Sequence, residues 1–228
     1  MGSTQIVSGI GGIFAGIFAV FGLLAFVVVL FIILIVANRA EPDPRGLRPF
    51  SVYLFGTAFV TLVLTFVGVV MIVTSLLSFI GSHDSPIADG VARSVVIGIL
   101  FVLIAGGTLA YHLRKGVTIA QGDDGPDGPN ARILHTYSMA VTFVFLVVAI
   151  ITLGFTIYFV FELAGPGIFG SIGGDRTSTL QTLLDTLFIM VASGAVIVAH
   201  ARFAPSALRL KLPGAPRPDS VTPAGPVS

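Results

Sequence analysis

Apolar positions along this chain fall into five runs, approximately Ser8 to Ala37, Phe50 to Ile80, Ser94 to Leu113, Ile133 to Phe161 and Thr179 to Ala201. Crossing a bilayer core takes about 20 residues of helix, and every run reaches that length. The pattern predicts an all-α membrane protein of five transmembrane helices. The stretches between the runs are short and rich in helix breakers: "NRAEPDPRGLRP", "GSHDSPIADG", "QGDDGPDGPNAR" and "AGPGIFGSIGGDR". None is long enough to fold as a domain, so the ordered mass belongs in the membrane. The first run does not read as a cleavable signal, because "MGSTQ" carries no positive charge, the apolar stretch is too long and no small-x-small site follows. "MGSTQI" also fails the myristoylation pattern at Ile6. The expected organisation is a first helix over 1–40, one hairpin over 47–116, a second over 131–205, and a tail over 206–228. The sequence from 204 onward contains six prolines and few large apolar residues, which predicts a disordered cytoplasmic tail.

Composition agrees with a membrane setting: 55% of residues are hydrophobic, 10% are charged, and mean hydropathy is +1.02. Soluble domains carry about 25% charged residues. With no cysteine, disulfides, thiolate metal sites and cysteine nucleophiles are excluded. The net charge of +1 hides an asymmetry. Arg39, Arg45 and Arg48 follow the first run, Arg114, Lys115 and Arg132 follow the third, and Arg202, Arg209, Lys211 and Arg217 follow the fifth. Only Arg93 and Arg176 lie on the other side, so ten of the twelve basic residues share one face of the membrane. The positive-inside rule then puts the N-terminus outside and the C-terminus in the cytoplasm. Arginine outnumbers lysine ten to two, and Ala, Gly, Val and Pro are abundant, as in high-GC genomes; the expected location is the cytoplasmic membrane of a bacterium.

Runs two to five look like one hairpin written twice. The first copy opens with Arg48 and Tyr53 and the second with Arg132 and Tyr137, 84 residues on. The first closes on Gly106, His112 and Arg114, the second on Gly194, His200 and Arg202, 88 residues on. Both copies would run from cytoplasm to outside and back, giving a parallel repeat that forms a four-helix bundle with the first helix added. Convergence is the other reading, since arginine at the cytoplasmic edge and tyrosine in the interfacial belt suit any membrane protein. Hairpins that open with Arg-x4-Tyr and close with His-x-Arg resemble a family of bacterial integral-membrane domains known only as a domain of unknown function. In that family the closing motif often reads His-Trp-Arg, whereas Leu113 and Ala201 stand in the middle here and the chain has no Trp. The resemblance covers runs two to five and implies a membrane domain with no assigned activity or catalytic residue.

Among residues that could carry chemistry, Asp185 is the most informative. Counting from His200 and Arg202 at the cytoplasmic edge, it lies roughly 8 Å inside the outer surface. Its helix still inserts: ten Leu, Ile, Phe or Val residues between Leu180 and Val198 contribute about −3 to −6 kcal/mol, against about +3 for the acid. Thr182 and Thr186 share its surface, so Asp185 belongs either to a proton or ion pathway or to a structural pairing with Arg93, Arg176 or a threonine. Thr57, Thr61 and Thr65 form a stripe that suits close helix packing, or the lining of a pore. Gly12 and Gly16 in the first run, with Gly106 and Gly194 later, read as helix-packing points. Glu162 is expected to be solvated. His112 and His200, with His135 as a third, could hold a haem or a metal; the plainer reading is wet interfacial side chains, and no cofactor or metal is expected. His83, Asp84, Asp89 and "DDGPDG" read as solvated turns. No phosphate-binding loop, nucleophile elbow or zinc-protease motif occurs. The expected function is that of a non-enzymatic membrane component partnered by the lipid bilayer and by other membrane proteins or by itself, with no nucleic acid. A small transporter or ion pathway through Asp185 and the threonine seams is the alternative.

Overall fold

In a computed structural model of the chain, residues 43, 45–78, 89–122, 128–165 and 176–203 are described. They form four long helices, α1 (Arg48–Leu77), α2 (Asp89–Gln121), α3 (Pro129–Ala164) and α4 (Arg176–Ala201), with no strand among the described residues. All four are long and apolar enough to cross a membrane. The first expected helix with Gly12 and Gly16, the outer-loop residues His83 and Asp84, and the proline-rich tail lie outside the described residues.

Local chemistry explains where the helices begin and end. Gly46 sits at a φ of 63°, a backbone region that disfavours side chains, and its N–H donates to the Asp43 carbonyl at 3.1 Å. The resulting turn feeds α1, whose first backbone N–H, that of Arg48, donates to the Asp43 carboxylate at 2.9 Å. Proline stands in the first turn of both α1 and α3, where its missing N–H costs no helical bond. Past the end of α2, the Arg45 guanidinium donates to the Gly122 carbonyl at 2.6 Å, satisfying an acceptor the helix cannot use. Along the helices, Thr61, Thr65, Thr74, Thr152 and Thr156 return their hydroxyls to carbonyls four residues back, so these polar side chains bring no unpaired donor into an apolar setting.

Two helices run beyond the expected apolar edges. The third run was expected to end at Leu113, but α2 continues to Gln121, because bare Gly116 leaves room for the Phe55 ring and Ala120 is buried. α3 likewise begins at Pro129, ahead of Ile133, because Asn130 and Ala131 are buried as well.

α1 packs on α2 and α3 on α4 as antiparallel pairs; α1 also meets α3 and α4, and α2 meets α3, while α2 and α4 stay apart among the described residues. The core joins Phe55, Ala58, Phe59 and Leu62 of α1 to Ile133, Leu134, Tyr137, Val141 and Phe145 of α3, in the half of the bundle where α1 and α3 begin. Phe66 meets Phe145 edge to face at 4.9 Å. Outward, Leu103, Ile104 and Val198 are 66%, 68% and 74% exposed, an apolar exterior suited to lipid. Toward the other end α1 and α2 touch backbone to backbone at Gly68 and Gly98: a side chain at Gly98 would stand 2.7 Å from the Gly68 carbonyl oxygen. Beyond that contact, the Gln181 amide donates to the Ser78 carbonyl at 3.2 Å and ties α4 to α1.

Candidate functional site

Polar side chains gather, fully covered, where α1 and α3 start and α4 ends. Tyr137 and Ser138 have no exposed surface, and His200 is 6% exposed. The His200 Nδ1 lies 2.9 Å from the Val196 carbonyl oxygen, which can only accept, so Nδ1 carries the proton. Nε2 of the neutral ring is then the acceptor, and the Tyr137 hydroxyl donates to it at 3.2 Å. Ser138 donates to the His200 backbone carbonyl at 2.8 Å, satisfying an acceptor in the last turn of α4. Phe55 of α1 covers the Tyr137 ring at 5.3 Å, and the His200 ring meets at 6.3 Å the ring of Phe203, over which Arg202 is stacked at 4.7 Å. Beside this group, Ser51 of α1 donates to the Asn130 side-chain oxygen of α3 at 2.6 Å, with both residues almost wholly buried. This bond is a polar tie between the two hairpins.

The first hairpin holds a parallel arrangement in the open. Tyr53 and His112 lie with ring centroids 5.7 Å apart, the same separation as Tyr137 and His200. The His112 Nδ1 donates to the Thr108 carbonyl four residues back at 2.8 Å, as His200 does to Val196. Burial separates the pairs: Tyr53 is 57% exposed beside exposed Phe50, and exposed Tyr111 meets His112, whereas Tyr137 lies under Phe55.

The other residues singled out in the sequence fall as follows. Thr61 is buried, Thr57 and Thr65 half-buried, and the Thr65 methyl carbon lies 3.6 Å from where a side chain at Gly106 would begin. Gly194 has nothing within 4 Å of that position. Asp185 is half-buried on α4, and its Oδ1 has no hydrogen-bond partner among the described residues. Thr182 and Thr186 donate to the Ser178 and Leu183 carbonyls, and so spend their hydrogens on their own helix. Glu162 corrects an expectation: placed at the end of an apolar run it should be solvated, yet it is buried at 8% exposure, on a different side of α3 from Phe161, which is 55% exposed. His135 is half-buried, while Arg114, Arg132 and Arg202 are exposed. Among the described residues no three His, Asp or Glu side chains gather as a metal site would require.

Sequence reasoning missed Ser51, Asn130 and Ser138. A signal was present, since Ser51 precedes Phe55, Ala58, Phe59 and Leu62 at helical spacing and Asn130 precedes Leu134, Tyr137 and Val141 in the same way. A small polar residue at the head of such a stripe is carried inward by its helix.

Four helices long and apolar enough to cross a membrane, with apolar side chains exposed along their outer surfaces, make this chain a membrane protein of the helical class. Within that class its family can be given. Residues 51–195 match the domain of unknown function DUF5671, and the chain belongs to that family. The match takes in α2 and α3 whole and most of α1 and α4, and stops before His200 and Arg202. No curated protein matches the chain, and no solved structure does.

Proposed function

We propose that this protein is a non-enzymatic, polytopic component of a bacterial cytoplasmic membrane, a small bundle that packs against other membrane proteins and supports their assembly. In this reading five helices span the bilayer with the N-terminus outside and the C-terminus in the cytoplasm, and the two hairpins are a parallel repeat. Support for the repeat comes from the matched Tyr53–His112 and Tyr137–His200 pairs, alike in ring separation and in the backbone bond of each histidine. The observation that carries the functional reading is the use made of the buried polar groups. Tyr137, Ser138, His200, Ser51 and Asn130 are bonded to one another or to helix backbone, which is how a packing scaffold uses such groups. Extraction in mild detergent followed by native mass measurement tests the assignment: a defined assembly larger than one chain is expected, and a lone monomer under the gentlest conditions overturns it.

Asp185 favours a second reading, a small transporter or proton or ion pathway. A carboxyl oxygen without a partner inside an apolar helix is the kind of group such pathways use. Replacing Asp185 with Asn and measuring ion and proton flux in liposomes tests it, since unchanged flux excludes a titrating role for Asp185. Haem ligation by His112 and His200 is read from the visible spectrum of the purified protein, where the absence of a Soret band ends that possibility.

A further inference from the structure

We infer that α1, α3 and α4 enclose, in the half of the bundle where α1 and α3 end, a site for a monovalent alkali cation, held by the Asp185 carboxylate with the Tyr158 and Thr74 hydroxyl oxygens. Two orphaned atoms point to it. The Tyr158 Oη and the Asp185 Oδ1 are both covered, and neither has a hydrogen-bond partner among the described residues. Elsewhere in the bundle buried polar side chains are bonded, as Ser51 is to Asn130 and Tyr137 to His200. A buried oxygen left unpaired is costly, and a carboxylate oxygen more so.

The helices bring these oxygens to one place. The bond from Ser138 to the His200 carbonyl fixes the register of antiparallel α3 and α4. Tyr158 stands twenty residues beyond Ser138 and Asp185 fifteen before His200, so at about 1.5 Å per residue their backbones differ in height by about 8 Å. Helical side chains lean toward the start of their own helix, which carries Tyr158 and Asp185 toward each other across that interval. They also share a side. Tyr158 lies three heptads after Tyr137, which packs on Phe55 of α1, and positions seven apart return to one face in a packed bundle. Asp185 follows by one turn Gln181, whose amide reaches the Ser78 carbonyl of α1. One turn before Ser78, at the level of Asp185, α1 carries half-buried Thr74. Its hydroxyl hydrogen is spent on the Val70 carbonyl at 2.9 Å, so what it has left to offer is oxygen lone pairs.

The donor set names the ligand. A carboxylate and two hydroxyl oxygens, with no thiolate or imidazole, are hard donors that suit an alkali or alkaline-earth cation. No arginine balances the charge: Arg176 is exposed at the head of α4, about 14 Å along the helix, and Arg93 is exposed on α2, which α4 does not meet among the described residues. Glu162 stands about 14 Å beyond Asp185 in height and outside the set. A single carboxylate matches a single positive charge, which favours a monovalent ion over calcium or magnesium. The assignment rests on neither reading above, since a cation fixed among three helices serves a static bundle as well as a pathway.

The full-length protein, purified in mild detergent and freed of alkali ions, is unfolded by heat in lithium, sodium, potassium, calcium, magnesium or choline chloride at one ionic strength. The expected result is a midpoint that rises above the choline value with at least one alkali ion and saturates. Asp185→Asn, which keeps the shape of the side chain, should abolish the rise. Tyr158→Phe should raise the half-saturating concentration about two- to tenfold through loss of one oxygen. Thr74→Val, of the same shape, should act in the same direction and serves if Tyr158→Phe fails to accumulate. Glu162→Gln should respond as the natural chain does. Midpoints equal in all the salts, an alkali response that survives Asp185→Asn, or a response confined to calcium or magnesium overturns the inference. Flux is read separately in liposomes: a saturating alkali response in a protein that carries no flux supports the site within a static bundle.

Discussion

At the scale of single residues, the interior polar bonds allow predictions of opposite size for side chains of the same type. Tyr137→Phe keeps the ring against Phe55 and deletes only the hydroxyl that His200 Nε2 accepts. The expected loss is about 0.5–1.5 kcal/mol, toward the low end in a membrane. Tyr53→Phe, at an exposed position, should change stability by less than about 0.5 kcal/mol. Reversible unfolding in mixed micelles reads both. Asn130→Leu leaves the buried Ser51 hydroxyl without its acceptor and should cost about 1–3 kcal/mol. Adding Ser51→Ala should recover part of that loss, and a double-mutant cycle on the two positions measures how much. Asp185 was conspicuous in the sequence because charge is rare in an apolar run. Ser51 and Asn130 were not, because residues just inside a helix start look solvated until the helix across from them is known.

At the scale of elements, the glycines separate contact from open surface. Gly98→Val must drive α1 and α2 apart at Gly68 and should destabilise the first hairpin by about 1–3 kcal/mol or more. Gly194→Ala meets empty space and should be neutral or stabilising by about 0.5–1 kcal/mol. Thermal unfolding of the two variants in one detergent is expected to move in opposite directions or to differ clearly in size. Gly106 and Gly194 were indistinguishable in sequence, each standing six residues before a histidine, yet only Gly106 faces a neighbour, Thr65. The helices were legible because an apolar run of bilayer length has few alternatives. Their inner faces were less so: a helix apolar all round lacks the polar stripe that reveals orientation in a soluble bundle. The extension of α2 to Gln121 was hidden for a related reason. Arg114 and Lys115 mark a membrane edge, while the side chain that holds the helix together beyond them, Phe55, lies on another helix.

At the scale of the whole molecule, orientation and function are open to direct measurement. In the orientation proposed above, a cysteine placed at His83 should react with an impermeant maleimide added to intact cells, and one placed at Asp127 should react only after lysis. The reverse pattern would invert the topology. The position of the core also bears on what the molecule presents to its surroundings. The core lies where α1 and α3 start, and exposed apolar side chains stand on the outer surface of all four helices.

The hairpins are bound far more extensively within themselves than to each other, and Ser51 to Asn130 and Gln181 to Ser78 are polar ties between them. Such a seam lets the molecule be made in two pieces. Fragments ending at Gly122 and beginning at Gly128 should each insert when expressed alone and should copurify when expressed together, so the peptide link between the hairpins serves more to keep two independent inserts in equal number than to hold them in place.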